Sequence, residues 1–169
     1  MIDEVLVKRA KTGDKDALVD LIMAKQGDYY RLALVHTGNP EDAMDALQDM
    51  CIIASQKINR LQNNSAFYAW SMTILVNCCR RITRRPRLIS FNQEIIELPS
   101  SDLEKHLDLI TALEKLKPAQ KEAIKLKYLL DLDYETIATV LKIPVGTAKS
   151  RVFVGLRHLK TMLGGIADE

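Results

Sequence analysis

The run from Asn39 to Leu61 constrains the fold more than any other stretch. Ala43, Leu47, Met50, Cys51, Ala54, Ile58 and Leu61 recur at steps of three and four, which places them on one stripe of an α-helix facing a core. Asn39 is a good N-cap, Pro40 fits the first helical position, and Glu41 and Asp42 suit the positive end of the macrodipole. The opposite face carries Glu41, Asp45, Gln48, Asp49 and Ile52. Elsewhere the apolar positions are mostly Leu, Ile, Ala and Val set among Lys, Glu, Asp and Gln, and aromatics make up only 5% of the chain. That balance favours helix over strand, so an all-α fold is expected.

The same period recurs on both sides. Val5, Leu6 and Ala10 give a first helix, and Ala17, Leu18, Leu21 and Ile22 a second, with Gly13 and Asp14 between them as stop and cap. The second helix is expected to run on through Tyr29, Leu32, Ala33 and His36 until "TGNPED" breaks it. Ser65 or Asn64 should cap a helix holding Phe67, Trp70, Ile74 and Leu75, which Pro86 ends. Residues 87–102 have no clear helical period and read as a linker, although Leu88, Ile89, Phe91, Ile95 and Ile96 are apolar enough for part of it to dock on a domain. Four more helices fit beyond it, at 103–116, 118–130 (opened by Pro118), 134–141 and 145–163. A chain of 169 residues can make two small domains, and the expected division is 1–86, a linker at 87–102, and 103–169.

Charge is unevenly placed. Residues 1–49 hold ten acids and six bases, and residues 50–93 hold seven bases and no acid. Residues 94–140 return to ten acids against six bases, and residues 141–169 carry five bases against two acids. A net charge of +2 therefore conceals two basic blocks able to grip a polyanion and two acidic ones free to meet something else. Cys51, Cys78 and Cys79 include no CxxC pair and read as buried or semi-buried thiols. No apolar run approaches the length of a membrane span, and the start of the chain is unlike a secretion signal. A cytoplasmic protein without direct membrane insertion, cofactor or metal is expected.

Two stretches carry chemistry. "LDYETIATVLKIPVGTAKSRVFVGLRHL" has the helix, short turn, helix pattern of a DNA-reading helix-turn-helix. Small Ala138 permits a close crossing, Ile143 and Val152 can fill it, and Gly146 lies near the turn. Lys149, Ser150, Arg151 and Arg157 offer phosphate and base-edge contacts along the second helix, although the same pattern would suit a basic amphipathic helix closing a bundle. Lys127 could reach a phosphate, and His158 is read as solvated. In "LQNNSAFYAWSMTILVNCCRRITRR" a polar loop, aromatics and an arginine-rich helix end lie in sequence, a combination suited to unpaired bases. Phe67 and Trp70 also fit as core anchors. The five arginines between Arg80 and Arg87 repel one another unless an anion sits nearby.

With "DAMDALQDM" ahead of them and "LEKLKPAQKEAIKLKYLLDLDYETIATVLKIPVGTAKSR" behind, these motifs make residues 10 to 162 resemble the small two-domain, extracytoplasmic-function (ECF) sigma factors of bacterial RNA polymerase. The resemblance implies that Asp45, Gln48 and Asp49 dock on core polymerase. It also implies that Asn63, Asn64 and Ser65 capture a flipped base of the minus-10 element, and that Asn77, Arg80 and Arg81, with neighbouring Arg84, lie along the melted strand. Lys149, Ser150, Arg151 and Phe153, with Arg157 nearby, match the helix that reads the minus-35 element, supported by Lys127. Promoter DNA, core polymerase and an anti-sigma factor are the implied partners, and no catalytic residue is implied. Four positions depart from the family pattern: Cys51 for an aromatic, Ser71 for an aliphatic residue, and Val154 and Gly155 where arginine and alanine are usual.

Two other functions fit parts of the chain. A helix-turn-helix regulator acting without polymerase would account for residues 131–163 but leaves the Asp45 face and the acid-free block without a task. A helical metalloenzyme using Glu41, Asp42, Asp45 and Asp49 lacks a facing cluster, because His36, His106 and His158 are scattered.

Overall fold

The computed structural model describes residues 3–84, 109 and 111–164. Pro86, the 87–102 linker, His106 and half of the helix expected at 103–116 lie outside these residues. All regular structure among the described residues is helical. The elements are α1 (Glu4–Lys11), α2 (Lys15–Met23), α3 (Gln26–Thr37), α4 (Pro40–Lys57), α5 (Phe67–Thr83), α6 (Pro118–Tyr128), α7 (Tyr134–Leu141) and α8 (Val145–Gly164). Residues 111–114 are also helical.

Local chemistry sets most boundaries. The Asp3 carboxylate accepts from the Val5 and Leu6 amides and opens α1. Gly13, at φ +99°, turns the chain, and Asp14 accepts from the Ala17 amide to start α2. Asn39 caps α4 through the Asp42 amide at 2.9 Å, as expected, and the stripe from Ala43 to Leu61 faces inward with Ala46 added to it.

Two expectations fail. The long second helix is two helices: the Ala24 and Lys25 amides close on Asp20 and Ile22, and Lys25 leaves the helical region at φ −128°, ψ 21°. Behind the break, Lys25 lies 3.7 Å from nearby Asp28 and 5.5 Å over the Tyr68 ring, the latter a contact with a distant segment that no local period encodes. At the start of α5 the cap is Asn63 rather than Ser65 or Asn64. Its Oδ1 accepts from the Ser65 amide and hydroxyl, opening a single 3-10 turn (Asn64–Ala66) that leads into α5.

α3, α4 and α5 pack on one another, α6 packs on α8, and α5 also packs on α7. As a result the buried residues Tyr29, Leu32, Met50, Met72 and Leu75 belong to the same continuous core as Leu126, Ile137, Val140 and Val152. Phe67 closes a separate small core with Val7, Leu18, Leu21, Ile58 and Leu61, and its ring lies 5.9 Å from that of half-buried Trp70. This favours the anchoring role for both aromatics over a base-stacking one. Ser71, one of the departures, is fully buried beside Tyr29 with their oxygens 2.6 Å apart. Its Oγ is also 2.8 Å from the Phe67 carbonyl. Only one arrangement satisfies both hydroxyls: Tyr29 donates to Ser71, and Ser71 donates to the carbonyl. Burial raises the Tyr29 phenol to about 12, so it remains a donor. Cys78 and Cys79 are buried and Cys51 is half-buried, as expected, and burial raises all three thiols.

Candidate nucleic-acid interface

The outer face of α4 is open. Asp45 and Gln48 are exposed, and on the same helix Met44 is 48% and Ile52 55% exposed. Apolar side chains flanked by acids on an otherwise soluble helix are the kind of surface a protein partner covers. Asp49 differs from its neighbours: it is half-buried and accepts from Arg81 Nη2 at 2.6 Å.

The loop before α5 is held from outside. Lys11 donates to the Leu61 carbonyl at 2.7 Å and to Asn64 Oδ1 at 3.1 Å, while Asn63 and Ser65 remain exposed. No sequence signal pointed to Lys11, because a lysine some fifty positions away leaves no local pattern. Along α5, Asn77, Arg81 and Arg84 are exposed at helical spacing on one face. Arg80 turns the other way, half-buried, toward α6.

In the helix-turn-helix, Asp133 caps α7 by accepting from the Thr136 amide at 2.6 Å. The turn rests on Lys142 at φ +54°, with the Ile143 amide bonded to the Ala138 carbonyl at 2.9 Å. The left-handed position is a lysine, and Gly146 lies near the turn as expected, in the first turn of α8 with open space around it. Ala148, Val152, Gly155 and Leu159 form the buried face of α8. Lys149, Ser150, Arg157 and the 68%-exposed Phe153 face outward, and His158 is exposed as expected. Gly155 sits at the close α6 crossing: a Cβ there would lie 2.6 Å from Ile124 Cδ1 and 3.2 Å from Gln120 Cβ, so a larger residue needs the Ile124 side chain to move. Lys127 is already engaged, donating to the Leu132 carbonyl at 3.2 Å and lying 5.2 Å over the Tyr134 ring. Lys149 lies 5.8 Å from that ring.

The feature that sequence reasoning missed joins α5 to α6. Arg80 grips Glu122 with two nitrogens, Nη2 reaching both carboxylate oxygens at 2.7 and 2.9 Å and Nε reaching one at 3.2 Å. His36 Nδ1 lies 3.7 Å from the same carboxylate. Its Nε2 is buried without a partner, and burial pulls the imidazole down to about 4 against an opposing pull from Glu122. Alongside, Lys125 donates to the Val35 carbonyl at 3.1 Å, and burial lowers its ammonium too. The anions that the arginine cluster requires are thus partly internal, with Asp49 serving Arg81 and Glu122 serving Arg80. A cleft of about 680 Å³ lies there, lined by Arg80, Arg84, Lys121, Glu122 and Arg151 among others. It brings Arg151 of α8 together with the α5 arginines, which the sequence had assigned to separate DNA elements. Among the described residues no group of three or more His, Cys, Asp or Glu side chains could hold a metal, and no helix is long and apolar enough to cross a membrane.

Comparison with known proteins gives this geometry a family. Residues 21–88 match Sigma-70 region 2, and residues 106–159 match the family described as Sigma-70, region 4. The chain is 30% identical to RNA polymerase sigma factor SigV of Bacillus subtilis over 92% of its own length and 96% of that protein's. It is 29% identical to the ECF RNA polymerase sigma-E factor of Haemophilus influenzae, covering 90% of each. Among solved structures it matches CnrH, in complex with the cytosolic domain of CnrY, at a TM-score of 0.75 and 20% identity, covering 98% of this chain and 99% of that one. It also matches the sigma factor RpoE of Bartonella quintana, in complex with the anti-sigma factor NepR, at 0.63 and 22%, covering 85% and 94%. The chain belongs to the sigma-70 family of RNA polymerase sigma factors, in its extracytoplasmic-function group.

Proposed function

We propose that this chain directs core RNA polymerase to promoters as a specificity subunit with no catalysis of its own, through three surfaces built from the residues described above. The α4 face around Asp45 and Gln48 docks on core polymerase, with Met44 and Ile52 as its apolar centre and Asp49 at its edge. The Asn63–Ser65 loop and the end of α5 (Asn77, Arg80, Arg81, Arg84) trap unpaired bases and backbone at minus-10. Lys149, Ser150, Arg151, Phe153 and Arg157 read duplex DNA at minus-35. Lys127 acts there through the turn and Tyr134 rather than on phosphate.

Unstacking a base costs a few kcal/mol. Holding flipped bases in the Asn63 loop and neutralising their backbone with arginine offsets that cost, so promoter opening is driven by binding. On this reading residues 1–86 and 103–169 act as two domains joined at 87–102, and the relatives solved with anti-sigma proteins suggest a cytoplasmic inhibitor of that class as a third partner. The observation that supports the reading most is that α4 and α8 both keep large apolar side chains, Met44, Ile52 and Phe153, exposed beside exposed charged or polar groups. In-vitro transcription with purified core polymerase on a random promoter library tests it. Transcripts from a shared pair of promoter elements are expected, with core binding weakened at least tenfold in the double substitution Asp45→Arg, Ile52→Ala. Operator-like DNA binding with no affinity for core polymerase would overturn it in favour of an ordinary helix-turn-helix regulator.

A further inference from the structure

Arg80 is assigned above to the promoter, yet in this structure the Nε–Nη2 edge of its guanidinium is engaged by both oxygens of Glu122. A carboxylate presents two oxygens in the geometry of a phosphate, which is why arginine binds the two alike. The contact is not an isolated surface pair. Glu122 is only 16% exposed. It is flanked by the Lys125 bond to the Val35 carbonyl, and α5 continues across the same boundary onto α7, where the Thr73 hydroxyl reaches the Thr139 carbonyl at 3.4 Å. Arg151 lines the same cleft. Arg80 and Arg84 of the proposed minus-10 set and Arg151 of the minus-35 set therefore face the same cleft between the halves.

Size shows that this arrangement cannot be the one that reads a promoter. Elements named for positions 10 and 35 stand some 25 base pairs apart, or about 85 Å at 3.4 Å per pair. A compact chain of 169 residues has a radius of gyration near 15 Å, so it spans roughly half that distance. The two halves must separate for both sets to engage.

We propose that Glu122 is an internal phosphate mimic: it holds Arg80 in a latch that adds to the shared core in keeping the free chain closed, and promoter DNA must displace it to engage the same edge of the guanidinium. This rests on the minus-10 assignment of Arg80, while the closure itself does not. Removing the Glu122 carboxylate should free Arg80 and loosen the joint. Replacing Arg80 as well should leave the joint loose but remove the gain in promoter opening.

Two readouts on the full chain test this. Small-angle scattering of free wild type, Glu122→Gln and Glu122→Ala, each checked for native helicity by circular dichroism, should show a larger radius of gyration in both variants. With core polymerase fixed, the sigma concentration giving half-maximal open complex should fall roughly tenfold in them, the low end of what a charge-assisted bidentate pair contributes. Arg80→Ala/Glu122→Ala should be as expanded as the single variants but lack the improvement. The swap Arg80→Glu/Glu122→Arg should be compact again. Equal dimensions across wild type and the Glu122 variants would overturn the latch, and expansion with an unchanged concentration dependence would overturn the mimicry. If no protein formed open complex, the function proposed above would fail, and the scattering result would still decide the latch.

Discussion

At the residue scale, the buried hydroxyl pair and the buried imidazole bear on stability. Ser71 satisfies Tyr29 inside the α3–α5 core, so Ser71→Ala leaves the phenol facing an apolar wall. Urea unfolding should show a loss of about 1–3 kcal/mol, while Tyr29→Phe/Ser71→Ala should recover part of it, because no orphan donor remains. His36 has a signed pH dependence. Burial holds its folded-state value near 4 against an ordinary 6.5, so the open or unfolded chain takes up a proton where the closed chain resists it. The stabilisation is complete above 6.5 and is lost as pH falls toward 4, with a slope approaching about 1.4 kcal/mol per pH unit. Melts between pH 7 and 5 should show that slope in wild type and lose most of it in His36→Phe. An identical pH profile in the variant would assign the acid sensitivity to other groups. Neither feature is legible in the sequence, where Ser71 reads as a minor departure and His36 as one of three scattered histidines.

At the scale of elements, what the sequence reveals follows the range of the interactions. The α4 stripe, the caps at Asp14 and Asn39, the Pro118 start and the α7–α8 crossing are legible, because each rests on contacts within a few residues. The α2/α3 break, the Lys11 brace on the 61–66 loop and the Gly155 approach to α6 are not, because each depends on a partner far along the chain. The helix-turn-helix lies between these cases: its two helices and the nearness of Gly146 to the turn can be read from the sequence, but that Lys142 takes the left-handed position cannot. Lys142→Gly removes a Cβ penalty at that position, so thermal unfolding should show a gain of up to about 1 kcal/mol with minus-35 binding unchanged, since Lys142 is not among the α8 contacts. A loss of stability would mean that the lysine side chain stabilises the turn in a way its backbone conformation does not reveal.

At the scale of the whole molecule, the site residues are legible in the sequence as types and as two groups, but not as occupied or free. The alternating charge blocks indicate two basic surfaces for one polyanion; they do not indicate that an acid from the third block closes on an arginine of the second. Arg80 is engaged by Glu122, Arg81 is held by Asp49, and Asn77 and Arg84 stand exposed, so the proposed strand-binding surface is assembled only partly before polymerase and promoter arrive. The central claim is that binding energy from these cations, delivered in complex with polymerase, opens the promoter. The most direct measurement is open-complex formation by core polymerase loaded with wild type, Arg80→Ala or Arg81→Ala across a salt series. Each substitution should lower the yield and reduce the log-log salt slope by about 0.7–0.9 for each phosphate the missing guanidinium no longer neutralises. An unchanged yield and slope in both variants would contradict the account.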